Sequence, residues 1–482
     1  MQAIPFGTKT VTLAKNEEQI FWLKLGGIYL LSWLITYFDM GTPVRVIGFL
    51  VILVFALQSY LNAATAVLLV VIIHFYGGLL EGLPGMDPVR VLFIPFFIFS
   101  VRRPAIRKFP MGDHVAIIFL ISIVSLKITA DILEVIQDVP LSGGQTEKKG
   151  LLNILVGYYQ ITAVILFFYF SFTRLTIYEI KKLFNALLIF AAFQAVTLLY
   201  IVYQNPQVVL ERETLGAAGL LDKQILWRNP YFGHKNDWGM LLAFVVIVLI
   251  VRLILSAKSF YKAERKYFVI IMIFCALTVA ISLSRQAYVW TILGSVMIAF
   301  GTKNIRYFIV LIIAVAAILI TRPKFIMDRM ETMLNVSSAE DFQQLNRKVS
   351  DQAWDQAVSN WQWHPRMFFV DWEYNYSEGF WNGMLHQQGI LGFLFHIYIY
   401  IFLLLRYFAF YKHSNQKLSL YGLLGIILVF LMFFACFNRR STHILHYKGF
   451  FTQINVLLLF MFCYIELVRY AVKKKLSEIQ YL

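Results

Sequence analysis

Residues 237–256 read Asp237-Trp238-Gly239-Met240-Leu241-Leu242-Ala243-Phe244-Val245-Val246-Ile247-Val248-Leu249-Ile250-Val251-Arg252-Leu253-Ile254-Leu255-Ser256. A helix needs about 20 predominantly apolar residues to cross a bilayer, and this stretch meets that length with a single charge in its interior. Applied outward along the chain, the rule gives about 14 candidate spans. They fall near 19–38, 43–58, 59–81, 88–101, 113–133, 151–173, 182–203, 237–256, 267–282, 286–301, 304–321, 389–411, 419–438 and 448–470. The second, fourth, ninth and tenth are short enough to be half-spans.

Composition agrees with that reading. Hydrophobic residues make up 59% of the 482 and charged residues 15%, whereas a soluble domain carries roughly 45–50% and 25%. A surface that poor in charge excludes a soluble enzyme, a disordered chain and a coiled coil. Cys275, Cys436 and Cys463 all sit in apolar runs, so they read as packing residues rather than a disulfide or zinc framework. The net charge of +16 would suggest nucleic acid in a soluble protein. In a membrane protein it follows instead from the gathering of Lys and Arg in cytoplasmic loops, and no nucleic-acid partner is expected.

With the amino terminus inside, every second loop is basic. Arg102, Arg103, Arg107 and Lys108 lie inside, as do Lys181, Lys182, Lys258, Lys262, Arg265, Lys266, Lys303, Arg306, Arg406, Lys412, Lys417 and Lys473 to Lys475. The first 18 residues are polar and lack the apolar core of a cleavable signal, so the first span is expected to act as an anchor. Two long polar segments fall outside, 204–236 and 322–388. The expected organisation is an amino-terminal bundle over 1–203, the outer loop 204–236, spans over 237–321, the long outer loop 322–388, and the last spans with the tail over 389–482. The longer loop carries Trp354, Trp361, Trp363, Trp372, Tyr374 and Tyr376, rings suited to stacking on sugars or resting at lipid headgroups.

Several arginines break the inside rule. Arg45, Arg228, Arg285, Arg347, Arg366, Arg439 and Arg440 fall outside or at the outer ends of spans. Arg285 interrupts two apolar runs that would otherwise be continuous, in Ser282-Leu283-Ser284-Arg285-Gln286. A charge there costs about 2.5–3.5 kcal/mol even on lenient insertion scales. It either snorkels to the interface or serves as a fork for a phosphate, which arginine meets through two parallel hydrogen bonds. Arg439 and Arg440 carry the same two readings. The chain has no phosphate-binding Gly-rich loop, no His-Glu-x-x-His and no Gly-x-Ser-x-Gly, and Asp371 with Glu373 is too common a pairing to argue for a metal.

Three segments together resemble the O-antigen polymerase and O-antigen ligase superfamily of bacterial envelope glycosyltransferases. The first is Arg228-Asn229-Pro230-Tyr231-Phe232-Gly233-His234-Lys235-Asn236-Asp237-Trp238-Gly239, similar to the family's Gly-x-x-x-Asn approach to a span and to its spacing of arginine, ten residues, glycine. The second is Ser282-Leu283-Ser284-Arg285-Gln286-Ala287-Tyr288, similar to the family's Ser-Arg-small-aromatic start of a span. The third begins at Arg347, runs through Trp354 and Ala357, and closes with Glu378-Gly379-Phe380-Trp381-Asn382 and Gln388-Gly389-Ile390-Leu391-Gly392. The likeness covers about residues 205–410. Ligases of the family carry a His-Asn pair eleven residues before the first closing glycine, where this chain has Glu378. That departure favours the polymerase branch over the ligase branch.

The resemblance implies an all-α, polytopic integral membrane protein of about 12–14 transmembrane helices, with a long periplasmic loop containing short helices. It implies a bacterial inner membrane with both termini cytoplasmic and the active site periplasmic. The implied reaction joins oligosaccharide repeat units carried on undecaprenyl diphosphate into a surface polysaccharide. In it Arg285 and Glu378 are catalytic, with His364 and His386 as the alternatives to Glu378 for the base, while Arg228, Arg347, Arg439, Arg440, Trp381 and His386 contact substrate. The implied partners are the lipid-linked glycan donor and acceptor, the bilayer and a chain-length regulator; no metal or cofactor is called for. Two other expectations stay open. One is a ligase that moves the glycan to lipid A–core or protein; the other is an exporter of an anionic lipid-linked substrate, which would also use outward arginines.

Overall fold

In this computed structural model, the residues described are 173–204, 235–256, 262–282, 285–303, 380–413, 415–438 and 453–474, with isolated positions 23, 26, 27, 30, 43 and 47. The chain divides into two compact units. One comprises Met1–Arg102 with Leu210–Gly233, the other Arg103–Val209 with His234–Leu482. In the first unit the described positions are helical, and Leu23, Leu30 and Ile47 among them are exposed.

Within the second unit the described residues form helices and no strand. They are α1 (Ile177–Gln204), α2 (Lys235–Ser256), α3 (Lys262–Ile281), α4 (Arg285–Thr302), α5 (Phe380–Tyr411), α6 (Gln416–Asn438) and α7 (Gln453–Lys474). The expectation of an all-α chain holds for these residues. Each helix lies where an apolar run was read, with its ends moved by a few residues. The largest difference is at α5, which begins at Phe380 rather than 389, so that Trp381 and His386 are helical. Among the described residues one helix, Gly389–Tyr411, is by itself long and apolar enough to cross a membrane. The apolar stretches Gly239–Leu255, Gln286–Thr302 and Leu418–Phe434 are shorter.

Helix α2 forms the axis. Every residue from Gly239 to Leu255 is buried, because the helix packs against α1, α3, α4, α6 and α7. A helix that is apolar on all sides can satisfy itself only by such enclosure or by lipid. Its neighbours come close through small residues. A Cβ at Gly294 of α4 would lie 2.5 Å from Ile247 Cδ1, and one at Gly301 would lie 2.6 Å from the Leu423 methyls. The α5–α6 hairpin closes the same way. A Cβ at Gly422 would meet the Tyr411 backbone (Cα at 2.7 Å), and one at Gly425 would press on the Tyr407 ring at 2.6 Å. Small residues at helix crossings let the backbones approach closely.

The contacts also fix direction. Tyr411 at the end of α5 donates its hydroxyl to the Gly301 carbonyl at the end of α4 (2.9 Å), so these two helices run parallel, flanking the antiparallel α6. Phe244 packs on Trp290 and Ile247 faces Gly294, which makes α2 parallel to α4. Arg252 near the end of α2 lies over Phe268 near the start of α3, so α3 runs back. One end of the bundle therefore gathers the carboxyl ends of α2, α4, α5 and α7 with the amino ends of α1, α3 and α6.

Candidate functional site

The residues expected to carry chemistry divide between described and undescribed parts of the chain. Arg228, Arg347, Glu378, Arg439 and Arg440 lie outside the described residues. Arg285, Trp381 and His386 are placed by their backbones. Arg285 is the first residue of α4, and Trp381 and His386 sit in the first turns of α5.

The turn that presents Arg285 is built by its neighbours in the sequence. Ser282 ends α3, with its amide bonded to the Thr278 carbonyl at 2.9 Å. Its hydroxyl donates to the Val279 carbonyl at 2.6 Å, and the residue is fully buried. A serine hydroxyl competing for the last carbonyls of a helix favours termination there. Three residues into α4, Tyr288 donates its hydroxyl to the Ala280 carbonyl of α3. Ala287 between them is wholly buried, where a larger side chain would separate the two helices. Within the Ser-x-Ser-Arg-x-Ala-Tyr pattern, α3 stops before Ser282, α4 opens at Arg285 and Tyr288 ties the two helices. Gln286 adds a buried Oε1 with no hydrogen-bond partner among the described residues.

The second marked feature is the break in α5. Gly389 has φ 66° and ψ −174°, a backbone region open essentially to glycine alone. It separates the short arm Phe380–Gln388 from the span that follows, so the arm is not a continuation of that span. Leu385 in the arm is buried.

The helix registers place these features at one end of the bundle. Going back along α4 from Gly301, Arg285 lies about 24 Å away at 1.5 Å per residue. The same climb along α5 from Tyr411 stops a turn and a half short of Gly389, about 9 Å. Tyr400 packs edge-on against Phe433 at 5.5 Å, and Gly294 faces Leu431. Continued upward, these registers bring Asn438, the last residue of α6, level with the first turn of α4. Arg439 and Arg440 follow it in sequence.

The opposite end holds a polar network that the sequence reading passed over. Arg252 of α2 is buried, donates to the Asn185 Oδ1 of α1 at 2.6 Å, and lies over the rings of Phe184 and Phe268 at 5.6 and 5.4 Å. Tyr464 of α7 stacks on Phe184 and meets the Tyr421 hydroxyl of α6 at 3.3 Å. Glu466, also buried, takes Arg406 of α5 and Arg469 of its own helix, the latter at 2.9 Å. The signal was present in the sequence as one arginine in the run 237–256 and one glutamate in the run 448–470. Charges inside apolar runs rarely lack a partner. The network joins α1, α2, α5, α6 and α7, and holds that end of the bundle together.

Among the described residues no three His, Cys, Asp or Glu side chains stand close enough to hold a metal ion. The one described cysteine side chain, Cys275, is buried and unbonded to another, as a packing residue should be. Comparison of the chain with protein-family models, with curated proteins and with solved structures found no match.

Proposed function

We propose that the protein is a polytopic bacterial inner-membrane glycosyltransferase that polymerises oligosaccharide repeat units carried on undecaprenyl diphosphate at the periplasmic face. The observation that carries this reading is the coincidence of its motifs with helix boundaries. Helix α2 opens inside the Gly233–Gly239 segment, α4 opens at Arg285, and α5 breaks at Gly389. The Arg285 turn and the Gly389 break then fall toward the same end of the bundle. The other end carries Arg265, Lys266, Lys303 and Lys412, all exposed, which is the asymmetry expected of a cytoplasmic face.

Membrane residence draws support from the outward faces. Those of α1 (Phe193, Val196), α3 (Ile270, Ile273), α4 (Val289, Ile292) and α5 (Leu391, Leu394, Ile401, Leu405) are apolar and exposed. A helical bundle in water places charge on such faces. Together with the candidate spans outside the described residues, they make about 12–14 transmembrane helices.

In the proposed reaction an acceptor hydroxyl attacks the anomeric carbon of the donor glycan. The glycosidic bond to the lipid diphosphate breaks, and its electron pair leaves with the diphosphate. Charge develops on that leaving group, and arginines aimed at it stabilise the transition state more than the ground state. Arg285 and Arg228 take this role, with Arg347, Arg439 and Arg440 as further phosphate or sugar contacts. Glu378 accepts the proton of the attacking hydroxyl, and Trp381 and His386 contact the sugar. One displacement inverts the anomeric centre. Glu378, standing where ligases have a His-Asn pair, favours polymerisation over transfer to lipid A–core.

Arg285→Ala tests the assignment. Turnover should vanish while the protein still inserts and expresses at the level of the unaltered chain. An active Arg285→Ala enzyme would contradict it.

A further inference from the structure

We propose that Tyr288 is a positioning residue for Arg285, holding the first turn of α4 against the end of α3 so that the arginine meets the lipid diphosphate. The inference rests on the reading of Arg285 given above and deepens it. Three observations carry it. Tyr288 stands three residues after Arg285 in the same helix, and positions three apart share a helix face. Its hydroxyl reaches eight residues back, across the turn, to the Ala280 carbonyl in the last turn of α3. Ala287 and Ser282, one in each helix end beside that bond, are both at 0% exposure.

The chemistry explains why such a tie matters. The segment between α3 and α4 is three residues long, Ser282 to Ser284. The Ser282 hydroxyl donates to the Val279 carbonyl, within α3's own end. The Tyr288 hydroxyl joins the two helices at this point. Without it, the first turn of α4 frays at the place where helix ends are least held. An arginine on that turn then samples many positions. A displacement of about 1 Å in a positioning group is enough to cost on the order of 100-fold in rate.

The test measures affinity for undecaprenyl diphosphate, without any glycan, by the purified protein in nanodiscs. Four forms are compared: unaltered, Arg285→Ala, Tyr288→Phe and the double variant, with the melting temperature of each. Both single variants should bind at least about 10-fold more weakly, and the double variant no more weakly than Arg285→Ala, because coupled residues are non-additive. If Tyr288→Phe binds like the unaltered protein while Arg285→Ala is weakened, the positioning role falls and the diphosphate site stands. If Tyr288→Phe costs the same factor with and without Arg285, the hydroxyl acts elsewhere and the proposal is overturned. If Arg285→Ala binds normally, the diphosphate reading of Arg285 itself falls, and the positioning role with it. Should Tyr288→Phe fail to fold, Tyr288→His, whose ring nitrogen can still donate, takes its place. Retention of diphosphate affinity there supports the tie, and loss with a normal melting temperature refutes it.

Discussion

Glu466 shows how one side chain can decide whether this bundle holds together. It is buried and receives two guanidinium groups, Arg406 from α5 and Arg469 from α7. Removing it would take the carboxylate from Arg406, whose side chain is 12% exposed, and breaking a largely buried pair from one side costs up to about 3–5 kcal/mol. Glu466→Ala should therefore lower the melting temperature in detergent markedly. A melt unchanged from the unaltered protein would show that the pair contributes nothing. Replacing Glu466 and Arg406 together by Gln and Met should recover part of that loss, because it is the orphaned charge that is costly. At this scale the sequence was partly legible. Arg285 announced itself by interrupting an apolar run, and the structure begins a helix there. Arg252 was visible as a lone charge inside its apolar run and Glu466 as an acid three residues before Arg469, yet nothing in a linear sequence says that a glutamate at 466 meets an arginine at 406. That pairing depends on how α5 and α7 align, which is a tertiary fact.

Helix α5 carries its own instruction for where to break. Gly389 occupies a conformation that costs other residues on the order of 1–3 kcal/mol, so Gly389→Ala should either lower stability or straighten the helix and swing the arm Phe380–Gln388 away. Cysteine accessibility at Trp381→Cys, compared with and without the glycine, reads the second outcome. An unchanged accessibility and melting temperature would mean the break has no consequence. The neighbouring hairpin makes a parallel claim. Gly422 abuts the Tyr411 backbone closely, so Gly422→Ala should force α5 and α6 apart and destabilise by about 1–3 kcal/mol; a neutral melt would contradict that packing. Element positions were readable because an apolar run of the required length leaves few alternatives. The start of α5 was not, since Phe380–Gln388 is polar enough to read as the close of a loop and only its packing, through buried Leu385, makes it a helix. The enclosure of α2 was equally hidden, because a run that is apolar on every side looks the same facing protein or lipid.

At the largest scale, the described helices of the second unit form a bundle with two distinct ends. One is held by the network of Arg252, Asn185, Tyr464, Tyr421, Arg406 and Glu466. At the other, Arg285 opens α4 and Gly389 breaks α5. That division follows from alternating helix directions; the proposed reaction rests on the three resembling segments. Glu378, Arg228 and Arg347, on which the mechanism also leans, lie outside the described residues, so chemistry must test them. The most direct measurement is a gel of the glycan products made by the purified protein in liposomes, supplied only with a short oligosaccharide on undecaprenyl diphosphate. The account predicts a ladder rising in steps of one repeat unit, absent with Arg285→Ala. A single unchanged band from active, folded protein would contradict it.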